Sequence, residues 1–177
     1  MNHLNPDQIP ENWSNIASAY KDAFESLTAQ FADEVLSRLA LKTGESVLDV
    51  AAGTGAFSLA AARLGAEVLA TDFAEGMVAH IQNLADAALI HNIETRVMDG
   101  QALDIADGGF DISVSIVGLI FFPDIDKGFA ELKRVLKPGG RSAVVCWDHP
   151  ENFEMMKLLR LAMEIAVPEF DMAAQTP

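Results

Sequence analysis

Apolar positions along the chain alternate between two spacings. Phe24, Leu27, Phe31, Val35 and Leu39 recur at helical intervals after a polar, proline-containing leader, and Thr43-Gly44 ends the run, so one amphipathic helix is expected there. Ser46-Val47-Leu48-Asp49-Val50 is a short β-prone run that stops at the small residues Ala51-Ala52-Gly53-Thr54-Gly55. Residues 56–64 are alanine-rich and apolar nearly all round, as in a helix packed on a sheet. The pattern then repeats. Residues 67–71 read as a strand, Met77, Val78, Ile81, Leu84, Ala85, Ala88 and Leu89 as a helix stripe, and residues 93–98 as a third strand. Asp107-Gly108-Gly109 signals a turn. Residues 110–116 are almost continuously apolar, the signature of a strand buried on both faces. Phe129, Leu132, Val135 and Leu136 line a helix expected to stop at Lys137-Pro138-Gly139-Gly140; residues 142–147 then form a fifth strand and residues 153–167 a last helix.

Strands alternating with helices imply right-handed crossovers and a largely parallel, doubly wound α/β sheet. Ligands of such sheets sit outside the carboxyl ends of the strands, at the switch point beside the first strand. Functional residues are therefore expected just after Val50, Thr71, Met98, Ile116 and Trp147.

A length of 177 residues suits one domain, with residues 1–44 as a helical cap, 45–150 as the ligand-binding core and 151–177 as a helix and tail. Half the residues are hydrophobic and 21% are charged, enough for a packed core. Twelve Lys and Arg against 26 Asp and Glu give a net charge of −14, which disfavours nucleic acid and anionic membranes and leaves small neutral or cationic ligands as candidates. The single cysteine, Cys146, has no internal disulfide partner and reads as a small buried hydrophobe. No Cys/His spacing suggests a metal. The N-terminal residues lack signal-peptide character and the longest apolar stretch, near 116–122, is too short for a bilayer span, so a cytoplasmic chain is expected.

The chemistry concentrates at the first two strand ends. Glycines in Ala51-Ala52-Gly53-Thr54-Gly55 leave backbone uncovered, so a ligand can lie on the turn. Asp72 closes the second strand 23 residues after Asp49, near the ~20-residue spacing at which a carboxylate meets a ribose diol. Its competing role is an N-cap for the helix that starts near Glu75.

Four blocks resemble the class I S-adenosylmethionine-dependent methyltransferases, in particular the small-molecule branch similar to quinone-biosynthesis C-methyltransferases. They are residues 47–55; Thr71-Asp72-Phe73-Ala74-Glu75-Gly76-Met77; Met98-Asp99-Gly100-Gln101-Ala102-Leu103; and residues 110–140, with the Arg134-Val135-Leu136-Lys137-Pro138-Gly139-Gly140 stop. The resemblance covers roughly residues 13–150. It implies a Rossmann-like sheet of about five strands in the order 3-2-1-4-5 with helices on both faces. S-adenosyl-L-methionine would be the cofactor. The resemblance sets the backbone around Ala51 and Gly53 against its methionine part, Asp72 on the ribose, and Phe73 and Met77 beside the adenine. Asp99 would accept from the adenine amino group, Gly100 would add a backbone contact, Ser115 and Ile116 would sit under the sulfonium, and Tyr20 would close over the methionine end.

The chain departs from the family in three places. Alanine stands at 51 where many members carry glycine. Ser115-Ile116-Val117-Gly118 replaces the Asn/Asp-Pro-Pro-Tyr stretch of base N-methylating members. No strand pair is legible between His149 and Pro177, so the C-terminal antiparallel hairpin is expected to be missing, as in a truncated remnant, leaving a bare fifth-strand edge open to homodimer pairing.

The expected reaction is in-line methyl transfer to a small organic acceptor. Positioning does most of the work, and a base is needed only for an acceptor that must lose a proton. No catalytic residue is assigned; His149 and Asp148 are candidate bases. Trp13, Phe121, Phe122 and Trp147 are candidates for an aromatic acceptor wall, and Met155, Met156 and Met163 for a lid; core packing is the competing reading for all of them. Two other classes remain open. One is a noncatalytic nucleoside-binding module. The other is a nicotinamide-dependent oxidoreductase, disfavoured because Ser58 takes the third glycine place of Gly-x-Gly-x-x-Gly.

Overall fold

Among the described residues five strands and four α-helices follow in the order α1 (Pro10–Leu39), β1 (Ser46–Val50), α2 (Ala56–Arg63), β2 (Glu67–Asp72), α3 (Glu75–Ala87), β3 (Ile93–Val97), β4 (Phe110–Ile116), α4 (Ile125–Arg134) and β5 (Leu136–Val145). The computed structural model describes residues 5–148 together with Asn152, Glu154 and Leu158. All strand pairs are parallel, and the sheet order is β3-β2-β1-β4-β5, the doubly wound arrangement expected. The chain divides into two compact units, residues 1–146 and 147–177. The sheet belongs wholly to the first, and Trp147 and Asp148 of the second are exposed.

Side-chain alternation along β1 sets both layers. Val47 joins Val68, Ile112 and Val114 under Ala32, Val35 and Leu39 of α1 and Phe57, Ala61 and Ala62 of α2. Leu48 and Val50 point the other way, into a second cluster with Leu69, Leu103, Leu132 and Val135 that seats α4. Helix α3 completes the first layer through Ile81 and Ala85, packed with Ala70 and Leu59. Asp49 follows the parity of Val47 and so faces α2.

Several features differ from the expectations. Helix α1 is far longer than its Phe24–Leu39 stripe, because Pro10 opens it and an Asn5-capped 3-10 turn at Pro6–Gln8 leads in; Phe24 itself is exposed. The Pro138-Gly139-Gly140 segment does not separate helix from strand. Strand β5 starts at Leu136, opposite Phe110, and swells between there and Arg141, which pairs with Ile112, so the proline and glycines sit in an irregularity of the ladder. Phe129 and Leu89, read as inward-facing, are exposed: Phe129 lies on the outer face of α4, and Leu89 lies past the end of α3 with φ 54. Cys146 is exposed just past β5 rather than buried within it. Among the described residues β5 pairs only with β4. The expected last helix, and the expected lack of a hairpin after His149, fall outside the described residues.

Candidate functional site

The carboxyl ends of β1 and β4 both break into left-handed backbone. Ala51 and Gly53 have φ 56, and Val117 has φ 59. Glycine adopts this freely, alanine at some cost, and a β-branched valine rarely; such strain collects at functional sites. A Cβ on Gly53 would meet nothing within 4 Å, so this bend is bare toward open space. Above it lies a cavity of ≈ 250 Å³, bounded by α1, the carboxyl ends of β1, β2, β3 and β4 and the 3-10 turn Leu119–Phe121.

Asp72 is 5% exposed and lines this cavity. Its Oδ2 accepts from the Gly53 N–H at 2.9 Å and its Oδ1 from the Ala74 N–H at 3.0 Å. The Phe73 N–H also pulls on this carboxylate, whose two oxygens can accept up to four bonds in all. The N-cap of α3 is Ala74, with no side-chain bond to cap it, so Asp72 does not cap that helix. Burial raises the Asp72 pKa, against the pull of those N–H groups.

Asp49, 2% exposed, is the second buried acid on the cavity wall. Ser58 of α2 donates to its Oδ2 at 2.5 Å. Burial pushes its pKa up to about 7; the Ser58 bond opposes the rise and the nearby Asp72 adds to it. Asp99, on the loop after β3, is exposed and accepts from the Gln101 N–H at 2.9 Å. These three carboxylates line the cavity, and no lysine, arginine or histidine does among the described residues.

Helix α1 lays an aromatic row over one side. Trp13 meets Phe121 edge-on at 5.0 Å and Tyr20 at 5.8 Å, and Tyr20 stacks on Phe24 at 5.0 Å. The Trp13 indole is held by its bond to the Asp7 carbonyl at 2.8 Å, and the Gly76 N–H of α3 donates to Ser14 Oγ at 3.0 Å. Burial, with the Asp72 charge nearby, raises the Tyr20 pKa.

Of the ten residues singled out from the sequence, Tyr20, Ala51, Gly53, Asp72, Phe73, Met77, Asp99, Gly100 and Ile116 line the cavity. Ser115 does not: it is fully buried and its Oγ has no hydrogen-bond partner. Trp13, Phe121 and Phe122 also line the cavity, whereas Trp147 belongs to the second unit. His149, Met155, Met156 and Met163 lie outside the described residues. Asp49 was the residue the sequence reading passed over. Its signal was an acid inside a strand otherwise apolar on both faces.

The methyltransferase domain family matches residues 47–140, more than half of the chain. The chain belongs to that family. A demethylmenaquinone methyltransferase of Corynebacterium efficiens is 41% identical over 113 residues, 64% of this chain and 46% of that protein. The 4+2 cyclase SpnF shares the fold at TM-score 0.63 with 30% identity, over 66% of this chain and 44% of that one. A SAM-dependent methyltransferase from Aquifex aeolicus superposes with TM-score 0.64 over 90% of this chain and 88% of its own, at 22% identity, a likeness of fold alone. The chain spans about half the length of the first curated relatives it matches. None of its described helices is long and apolar enough to cross a membrane.

Proposed function

We propose that this methyltransferase domain binds S-adenosyl-L-methionine and directs its methyl group to a small organic acceptor. The observation that carries the reading is Asp72: a buried carboxylate on the wall of a hollow above the bare Gly53 bend. A ribose diol supplies two donors to such a carboxylate, and hydrogen bonds to a charged group contribute ~1.5–3 kcal/mol each. A cavity with three carboxylates and, among the described residues, no cationic side chain suits a positively charged cofactor.

When bound, the cofactor supplies a methyl already activated on a positively charged sulfur. The protein's part is placement. Asp72 holds the ribose, Phe73 and Met77 flank the adenine, Asp99 and the Gly100 backbone meet its edge, and the Ala51–Gly53 backbone takes the methionine portion. Ile116, with Ser115 behind it, forms the floor, and Tyr20 closes the α1 side. Holding donor and acceptor in line can contribute ~7–11 kcal/mol, and a base is needed only for an acceptor that must lose a proton. Trp13, Phe121 and Phe122 favour a flat apolar acceptor, in keeping with the quinone-related substrate named for the Corynebacterium relative. Self-association through the β5 edge is part of the same proposal, and light scattering on the purified chain tests it.

Titration calorimetry with S-adenosyl-L-homocysteine tests the cofactor reading. The wild type should bind, and Asp72→Ala should weaken binding at least about tenfold; equal affinities would overturn it. One observation favours a second reading, in which the nucleoside is held but another reaction is served: SpnF, 30% identical, is a cyclase. Consumption of the methyl donor with any acceptor would decide against that alternative.

A further inference from the structure

Two walls of the cavity meet at Gln101. The loop after β3 brings Asp99 and Gln101 to the lining, and the turn between β4 and α4 brings Phe121, Phe122 and Pro123. Gln101 bonds to both. Its backbone N–H and its Nε2 donate to Asp99 Oδ1 at 2.9 and 3.1 Å, and its Oε1 accepts from the Asp124 N–H at 2.9 Å. Asp124 is the N-cap of α4, and its N–H is the donor that a Glu or Gln at the third helical position accepts from in a capping box. Lys127 stands there instead, with no acceptor to offer, so Gln101 serves that N–H from another loop. Packing joins the same two elements. A Cβ at residue 100 would stand 2.5 Å from Phe122 Cζ and one at residue 128 would stand 2.8 Å from Phe122 Cδ2, so the ring lies between a glycine of the loop and a glycine of α4.

We propose that Gln101 is a positioning residue that couples the two halves of the site: a nucleoside seated on Asp99 fixes the Gln101 amide, the amide fixes the turn that carries the acceptor wall, and a flat acceptor therefore binds more tightly once the cofactor is in place. The proposal rests on the cofactor reading above. Asp99 is exposed, so a ligand donor to its carboxylate removes side-chain freedom that solvent leaves it, and the amide bonded to that carboxylate loses freedom with it. The ordering cost of the turn is then already met when the acceptor arrives. Such coupling is reciprocal, so a bound acceptor tightens the cofactor by the same factor. The consequence is an order of binding, in which the wall is set for the acceptor after the methyl donor is seated.

The test is calorimetry of 2-naphthol, a flat apolar probe that does not add to thiols, on the wild type, Gln101→Glu and Gln101→Met, each with and without saturating S-adenosyl-L-homocysteine. In the wild type the homocysteine ligand should tighten 2-naphthol by about fivefold or more, and it should slow amide exchange at Asp124. Gln101→Glu keeps an acceptor for the Asp124 N–H and loses the donor to Asp99. It should bind 2-naphthol within about twofold of the wild type when the homocysteine ligand is absent, and gain about twofold or less when it is present. Gln101→Met loses both bonds, so it should bind 2-naphthol more weakly in both states. A residue that only capped α4 would leave the coupling intact in Gln101→Glu, so equal tightening there and in the wild type overturns the proposal. So does a wild type that binds S-adenosyl-L-homocysteine with no change in its affinity for 2-naphthol, or that binds no 2-naphthol in either state, whether or not the variants fold. Failure of the folded wild type to bind S-adenosyl-L-homocysteine would overturn the cofactor reading itself, and this proposal with it.

Discussion

Ala51 and Gly118 meet where β1 and β4 end: a Cβ added at residue 118 would stand 2.5 Å from the Cβ of Ala51 and 2.9 Å from Ser115 Oγ. The two left-handed bends beneath the cavity are therefore packed against each other. Gly118→Ala should lower stability by about 1–3 kcal/mol through overpacking. Ala51→Gly alone should be near neutral, because relief of the left-handed alanine offsets the extra freedom of the unfolded glycine. Combined with Gly118→Ala, it should recover about 1 kcal/mol or more. Urea titrations of the four proteins form a double-mutant cycle. Strict additivity would show that this contact does not limit the junction.

Arg134 ties the loop after β3 to α4. Its guanidinium donates to the carbonyls of Ile105 at 2.7 Å and Leu103 at 3.1 Å and pairs with Glu131 and Asp107, each at 2.6 Å. Glu131 in turn accepts from the Leu103 N–H at 2.8 Å. Arg134→Ala should cost about 1–3 kcal/mol, discounted for the partial exposure of the guanidinium. It should also speed amide exchange across residues 99–109. Arg134→Lys supplies the charge without the fork and should recover little. If lysine restored both quantities, the loop would be held by charge alone.

Much of this arrangement was legible in the chain, and the misses share a cause. Strands β1 and β4 start and stop where the apolar runs do, because strands buried on both faces have no other pattern to offer. Asp72 was legible because a strand end fixes where its side chain can go. The start of β5 was not: Lys-Pro-Gly-Gly is a local stop signal, and only pairing with Phe110 and Ile112 across the sheet keeps the strand running through it. The first half of α1 was missed because its inward residues, Trp13, Ala17 and Tyr20, mix one small residue with two part-polar aromatics, while Ile16 and Phe24 are exposed. Asp49 gave only the weak sign of an acid in an apolar strand; its meaning depends on Ser58 and on burial, both products of tertiary packing.

Two acids should titrate stability in opposite directions. Asp49 has a folded pKa of about 7, above its ordinary value of 3.8, so its contribution is fully present below the unfolded pKa and is lost as the pH rises to about 7. Asp49→Asn should therefore be more stable than the wild type at pH 8 by roughly 2–4 kcal/mol, the gap closing toward pH 4. Asp111 behaves conversely. Lys137 and Ser46 hold its pKa below the usual carboxylate range, so its contribution is present above the unfolded pKa and lost as the pH falls. Asp111→Asn should be less stable at pH 7, and that deficit should shrink in acid. Denaturant midpoints measured from pH 4 to 8 give both slopes; parallel curves for wild type and Asp49→Asn would show that Asp49 is not buried as a charge.

The aromatic row makes the α1 side of the site a separate layer whose order depends on Trp13. That ring touches Phe121 on one side and Tyr20 on the other, and its N–H anchors the 3-10 turn through Asp7. The central sheet does not rely on it, since its core clusters contain no residue from the first turns of α1. Trp13→Ala should thus lower global stability by only about 1–3 kcal/mol, less than a fully buried tryptophan would cost. It should raise amide exchange strongly over residues 10–24 while β1 and β4 keep their protection. Trp13→Phe keeps the ring edge and loses the indole donor, so it should fall between the two. Affinity for S-adenosyl-L-homocysteine should drop in the same order if Tyr20 covers the ligand from this layer. Uniform loss of protection across helix and sheet would instead make Trp13 part of one cooperative core, and the α1 side could not move independently of the strand ends that form the floor.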